Sequence, residues 1–357
     1  MSHPRIDRFD ELERLPGSAA SLGYRMPAEW QAQACVWVTR PHNVETWPLC
    51  LERAQEQFEF WIDQMRRFVP ICMTAELGIA TDDSWIRDYG PIFVTRDGSP
   101  RPGASPIAVH DFHFNGWGGK YEHRQADDVV PQRIALSLGL PIQVHDMVLE
   151  GGAIDVNGCG TVMSTEQCLL NPNRNAQMSK AEIEQQLHAA LGTRHVIWLP
   201  GGIEGDDTDG HIDDVARFVG PGTVVAISAP PGHVDHAMTC RNLEVLRAAR
   251  DQDGHRLEVI ELPVPEPIEY AYPADRFGPG GRALVPASYA NFLISNGSVF
   301  VPVFGQASDE RALRVIESAL PGRSVVAIPS QWLVVGLGAL HCLSQQQPAA
   351  GGVDGSG

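Results

Sequence analysis

The chain has no apolar run that approaches the roughly 18 residues a membrane helix needs, so the sequence predicts a protein with no place in a bilayer. Its opening, MSHPRIDRFDELERLP, carries acidic side chains and lacks the apolar core of an export signal. The expected location is the cytoplasm. No Ser/Gly-rich or Pro-rich stretch of useful length divides the 357 residues. That predicts one domain over residues 21–348, between a mobile segment 1–20 and a disordered tail 349–357. Cysteine is scarce and irregular: Cys35, Cys50, Cys72, Cys159, Cys168, Cys240 and Cys342 make an odd total with no CxxC pair, so neither a disulfide framework nor a zinc knuckle is indicated. Positive charge is short too. Lys plus Arg number 27 against 44 Asp plus Glu, and the net charge of −17 repels nucleic acid and anionic lipid while drawing cations. What the chain does have is apolar mass, 43% of its residues, enough for a sizeable globular core.

Five stretches show helical periodicity, at about 47–68, 126–139, 179–191, 235–250 and 308–320. The third opens on a capping box, Ser179 with Glu182, and stops at Gly192. Between the helices lie apolar runs of strand length: ICMTA, IFVT, IAVHDFHF, IQVHDMVL, HVIWLP, TVVAIS, LEVIEL, FLIS, VFVPVF and SVVAIP. Asn296-Gly297 reads as a two-residue hairpin and NGCG at 157–160 as a second tight turn. Each helix thus comes with two to four strands, some of them in hairpins. A simple doubly wound sheet would alternate one strand with one helix, so the pattern predicts an α/β fold of a different kind, with five helix-plus-strands units.

Four stretches concentrate polar residues beside these strands. In TDDSWIRDYGPIFV (81–94), Arg87 and Asp88 immediately precede a strand, and the spacing alone favours a local Arg87–Asp88 ion pair over a site. In LEGGAIDVNG (149–158), Gly151 and Gly152 let something approach Glu150 closely, although a plain turn accounts for them equally well. GDDTDGHIDDVARFVG (205–220) sets five aspartates around His211. An EF-hand centred on Gly210 is excluded, because position 205 is glycine and 216 alanine. Zinc lacks the paired His or Cys it would need. In extended chain His211 and Asp213 would face the same side and act together, with a solvated acidic loop as the alternative. The fourth stretch, GLGALHCLSQQQP, carries Cys342. A lone cysteine in such a place is more often structural than catalytic.

Taken in order, GYRMPAEW, WIRDYGPIFV, FNGWGGKY, EGGAIDVNGCGTVMSTEQCLLNPNRN, GDDTDGHIDDVARFV and HCLSQQQP resemble the agmatine deiminase and bacterial peptidylarginine deiminase family across nearly the whole chain. The resemblance implies a five-bladed α/β propeller of ββαβ units, the pentein fold, with a central active site. It also implies roles: Cys342 as nucleophile, His211 as general acid/base, Asp88 and Asp213 as the carboxylates that hold a guanidinium. Glu150, Arg87, Trp85 and Trp117 are expected around the substrate, an indole face against the cation contributing about 0.5–2 kcal/mol. No metal or organic cofactor is expected, and the partner is a small cationic guanidino compound, with a homo-oligomer left open. The reaction implied is hydrolysis of agmatine to N-carbamoylputrescine and ammonia on the way to putrescine. Arginine or peptidylarginine deimination, amidinotransfer and a silent guanidine-binding protein are the alternatives. Two departures stand out: GALHC replaces a GGNIHC-like sequence, placing Ala339 and Leu340 before the nucleophile, and RDYGP with GHIDD follows the bacterial branch rather than RDTGP with GHVDN.

Overall fold

The computed structural model describes residues 9–97, 105–122, 124–273 and 281–350. Its strands run β1 (Gln33–Val38), β2 (Ile71–Met73), β3 (Ile92–Thr95), β4 (Ile107–His113), β5 (Ile142–Val148), β6 (Asp155–Val156), β7 (Thr161–Thr165), β8 (His195–Leu199) and β9 (Ala216–Gly220). They continue through β10 (Thr223–Ser228), β11 (Glu258–Pro263), β12 (Ile268–Ala271), β13 (Arg282–Val285), β14 (Leu293–Ser295), β15 (Ser298–Val303), β16 (Ser324–Pro329) and β17 (Ser344–Pro348). Four three-stranded sheets, β3-β4-β5, β6-β7-β8, β9-β10-β11 and β14-β15-β16, share one design. The first two strands are antiparallel and the third lies parallel to the second. A parallel neighbour cannot be reached by a tight turn, so a helix carries the chain across. The fifth sheet, β17-β1-β2, has the same design, but its antiparallel member comes from the other end of the chain. These are the five blades of the expected propeller, closed into a ring by β17.

The crossover helices are Leu51–Met65, Val130–Leu138, Lys180–Leu191, His236–Ala248 and Asp309–Ala319. The first buries Ala54, Phe58, Trp61, Ile62 and Met65, one stripe at helical spacing. Such side chains contribute about 1.5–3 kcal/mol each on burial. The single helix expected at 126–139 is instead two, Gln125–Asp128 and Val130–Leu138. Pro131 is the reason, since it has no N–H to donate and its ring crowds the preceding turn. The capping box of Ser179 and Glu182 forms, and Gly192 closes that helix at φ 66°. Both hairpins are also present, with Gly297 at φ 66° and the Asn157 carboxamide accepting from the Cys159 and Thr161 amides.

Part of the segment expected to be mobile is docked. Arg14 bridges to Ile142 at the edge of β5, where Leu15 N–H donates to the Ile142 carbonyl at 2.9 Å and the Ile142 N–H to Glu13 at 2.8 Å. Leu12 is buried in the main core. An unpaired strand edge and an apolar side chain are reason enough to hold it. Residues 1–8 and 351–357, the remainder of the expected mobile ends, lie outside the described residues. No helix among the described residues is long and apolar enough to cross a membrane.

Candidate active site

The five blades place equivalent segments at the centre, each lying two to five residues ahead of the blade's first strand. Asp88 precedes β3, Glu150 and Gly152 precede β6, His211 and Asp213 precede β9, Asn291 precedes β14, and His341 and Cys342 precede β17. Asp88, Cys342, Trp85 and Trp117 line a narrow cleft. Thr46, Asp83, Tyr121, Arg124, Asp207, Thr208, Asp214, Gly336 and Leu337 complete it.

Gly152 is the point on which the chemistry converges. A Cβ there would stand 2.5 Å from His211 Nδ1, 2.7 Å from Asp88 Oδ1 and 3.2 Å from Asp213 Oδ2. Only glycine lets those groups approach. Its N–H donates to Asp88 Oδ1 at 3.0 Å, and Trp117 Nε1 donates to Asp88 Oδ2 at 2.9 Å, which fixes the carboxylate plane. Trp117 does this from a left-handed backbone at φ 56°, with its turn held by the Asn115 carboxamide accepting from Gly118 N–H. That conformation costs a non-glycine residue about 1–2 kcal/mol. Leu337, another cleft residue, is also left-handed at φ 77°.

The electrostatics pull the groups apart. Burial, assisted by Asp213, pushes the Asp88 carboxyl up to about 6, against the His211 charge 3.6 Å away. Burial opposes the His211 imidazolium, yet Asp88, then Cys168 and Glu150, outweigh it and hold its pKa well above the usual range. Burial also opposes Asp213, but the hydrogen bond from His341 Nδ1 at 2.7 Å keeps that carboxyl below the ordinary value. Cys342 Sγ lies 3.7 Å from Asp213 Oδ2 and accepts from Asn291 Nδ2 at 3.0 Å. Burial and the carboxylates of Asp213, Asp214 and Asp88 push its thiol well up. Both ring nitrogens of His211, Asp213 Oδ1 and Glu150 Oε2 are buried without a hydrogen-bond partner. Each such atom costs about 1–3 kcal/mol, and Asp213 Oδ1 is an acceptor whose penalty a ligand with N–H donors relieves.

Each of the five aspartates around His211 has its own task, so the solvated-loop alternative does not hold. Asp206 accepts from the Thr208, Gly210 and His211 amides, Asp207 from the Tyr121 hydroxyl and Asp209 from Arg174 and Lys120. Asp213 pairs with His341, and Asp214 with Asn291. The strand expected to align His211 with Asp213 is also absent: residues Ile212–Asp214 form a 3-10 turn and β9 begins only at Ala216. The two side chains meet through that turn instead.

Arg87 and Asp88 sit on a short helical turn, Ile86–Tyr89, and do not pair locally. Arg87 turns away from the cleft, with Nε donating to the His341 carbonyl at 3.2 Å and its head 3.9 Å from Glu29. Glu150 is bound to Arg174 Nε at 2.6 Å and stands behind His211. Trp85 stacks on Trp47 and packs against the Gly338 backbone, so it walls the cleft and the core together. Leu340 lies within the main core and Ala339 is buried, so the altered residues of GALHC pack rather than face the cleft. Sequence reasoning missed Asn291, Asp214, Arg124, Arg174, His341 and Glu29. The one usable signal for Asn291 was its place just ahead of a predicted strand, as with Asp88.

Among the described residues, two buried groups bring metal-ligating atoms within 4.8 Å of one another: Glu150, Cys168 and His211, and Asp213, Asp214 and Cys342. In the first, Arg174 already neutralises Glu150. The second has two carboxylates, suited equally to an organic cation.

A family model described as Porphyromonas-type peptidyl-arginine deiminase matches residues 25–348. An agmatine deiminase of Stutzerimonas stutzeri is 36% identical, covering 95% of this chain and 99% of its own. One from Pseudomonas aeruginosa is 35% identical, covering 92% and 96% respectively. A solved structure of the agmatine deiminase of Enterococcus faecalis matches with a TM-score of 0.87 and 31% identity, covering 94% of this chain and 99% of that one.

Proposed function

The chain belongs to the Porphyromonas-type peptidyl-arginine deiminase family, and on that footing we propose that it hydrolyses agmatine to N-carbamoylputrescine and ammonia. The observation that carries this reading is the convergence of Asp88, His211 and Asp213 on the backbone of Gly152, with Cys342 beside Asp213. A guanidinium is flat, permanently charged and forked, so carboxylates at its edges grip it and leave its carbon open above the plane. Asp88 and Asp213 are those carboxylates. Their charge, which holds the Cys342 thiol protonated in the free protein, is cancelled by the substrate. The thiol proton then becomes easier to lose.

The Cys342 thiol gives its proton to solvent water, and the Sγ thiolate attacks the guanidinium carbon to give a tetrahedral adduct. His211 donates a proton to one nitrogen, the C–N bond breaks, and ammonia leaves behind an amidino-thioester. The same histidine takes a proton from water, whose oxygen adds to that carbon, and the C–S bond breaks to return the thiol and release the ureido product. One water is consumed and one ammonia formed. Asp88 keeps His211 cationic, with Cys168 and then Glu150 adding to it, and Trp85 and Trp117 wall the cleft.

Among the described residues the cleft lining holds Asp83, Asp88 and Asp207 against one cation, Arg124, whose Nη1 is paired with Asp83 at 3.2 Å. That excess of acid favours a substrate ending in an ammonium. Arg124 itself supports the second reading, free arginine, whose carboxylate it would meet. The seven free thiols fit our assignment to the cytoplasm, and the product fits a step toward putrescine.

The test is ammonia release from the wild type and Cys342→Ser, each offered agmatine, L-arginine and a blocked arginyl peptide. Release from agmatine above the others, abolished in the variant, is expected. Preferential release from arginine installs the second reading, and release undiminished in Cys342→Ser rejects the nucleophile.

A further inference from the structure

His341 does not face the cleft, and its ring is held at both ends. Nδ1 lies 2.7 Å from Asp213 Oδ2 and Nε2 lies 2.8 Å from Glu29 Oε2. All three side chains are buried. A carboxylate only accepts, so a ring with a carboxylate on each nitrogen donates from both, which is the imidazolium form. Glu29 is in turn fixed by Arg217 Nη2 at 2.7 Å and by the Ile294 N–H at 2.6 Å. Arg217 extends to Asp155 and the Phe292 carbonyl. Glu29 lies in the PAEW stretch, more than 300 residues from the nucleophile in sequence, as the 312-residue separation from His341 shows.

We propose that Glu29 and His341 are positioning residues for the deimination: Glu29 holds His341 cationic, and His341 holds Asp213 ionised and aimed at the guanidinium. This rests on the role given to Asp213 above. The contrast with Asp88 is the reason such a device is needed. Both carboxyls are fully enclosed, yet Asp88, whose cationic neighbour His211 stands 3.6 Å off without a hydrogen bond, is pushed up to about 6, whereas Asp213, bonded to His341 at 2.7 Å, stays below its ordinary value. Burial works against the Glu29 charge as well, and Arg217 and His341 overcome it. The charged and titratable groups facing the chain of contacts are Arg217, Arg87, Arg323 and Asp155 around Glu29, and Asp88, His211, Arg87, Arg217, Asp214 and Cys342 around Asp213.

The experiment compares wild type, Glu29→Gln and His341→Gln in two ways. Steady-state ammonia release from agmatine is followed across pH, with folding verified by melting temperature. In the variants KM rises about tenfold with a smaller fall in kcat, and the acid limb of kcat/KM, which Asp88 sets near 6 in the wild type, steepens from one proton to two as Asp213 loses its cationic donor and titrates beside Asp88. Glu29 also knits the core, so loss of stability alone is anticipated in Glu29→Gln, but instability does not steepen a pH limb. The second measurement is the 15N spectrum of histidine-labelled wild type at about pH 8, where one ring with both nitrogens protonated is absent from His341→Gln. An acid limb that keeps its one-proton slope in folded variants overturns the proposal, as does a His341 ring with one bare nitrogen. Should wild type release no ammonia from agmatine, the deiminase reading falls while the nitrogen spectrum still decides the state of His341.

Discussion

Gly152 owes its identity to its neighbours, and Gly152→Ala therefore tests the site without touching a reacting group. A methyl at 2.5 Å from His211 Nδ1 and 2.7 Å from Asp88 Oδ1 forces both aside. Displacement of about 1 Å costs on the order of 10²-fold in rate. The expected result is a fall of that order in kcat/KM, read by ammonia release, with unfolding little changed. Asp88 supplies a pH prediction. Its folded pKa of about 6 lies above the ordinary 3.8, so the cation-gripping form is lost as pH falls through about 6, and kcat/KM for agmatine drops on that side. An acid limb near 4 would disprove the assignment. Cys342 adds a third: with its thiol pushed well up, neutral iodoacetamide reacts slowly at neutral pH, and a cationic haloacetamidine reacts faster because it brings the missing charge. Equal rates would count against substrate-assisted ionisation. Cys342, His211, Asp88 and Asp213 were singled out only by the motifs of the family resemblance, and the structure brings them together around Gly152 and Asp213. Asn291 and Glu29 were not. Nothing in SYANFLI or PAEW announces a partner that folding brings from elsewhere.

Among elements, the helices could be read closely, because periodicity, Ser179 and Gly192 are local signals. The structure gives Lys180–Leu191 where 179–191 was expected. Ser179→Ala removes the cap that receives the Glu182 N–H, which costs about 1 kcal/mol. Denaturant unfolding should report that loss while kcat stays unchanged. Strands rich in Val and Ile were legible as well. β17 was not, since SQQQP is polar and of poor strand propensity. It is a strand because β1 offers it a register, Val36 against Gln346 and Val38 against Ser344, and because Gln345 donates to the Pro91 carbonyl at 2.7 Å. The face argument for His211 and Asp213 failed for the converse reason. Gly210 at φ 94° and the Asp206 caps turn that chain into a 3-10 segment before any strand begins.

For the whole molecule, the net charge of −17 creates a field that gathers cations, and salt screens it within about 10 Å at 0.1 M. KM for agmatine should rise with ionic strength, whereas KM for a zwitterionic substrate should move less. A flat response would confine the electrostatics to the cleft. Ring closure is the other global property. A chain ending at Leu343 lacks β17 and leaves β1 with a bare edge, so it should lose cooperative thermal unfolding as well as activity. The number of units was legible from the helices, but the circular order was not, because β17 pairs with a strand some 300 residues earlier, as the 312-residue separation of Gln347 from Cys35 records.

That closing strand also governs when the protein can act. On the ribosome, a chain made only as far as β16 already holds the strands of four blades and the Asp88, His211 and Asp213 carboxylate and imidazole groups, but not Cys342. Cys342 arrives directly ahead of β17. Synthesis therefore delivers the reactive atom and the strand that encloses it together, and an interrupted translation product is silent rather than half-active.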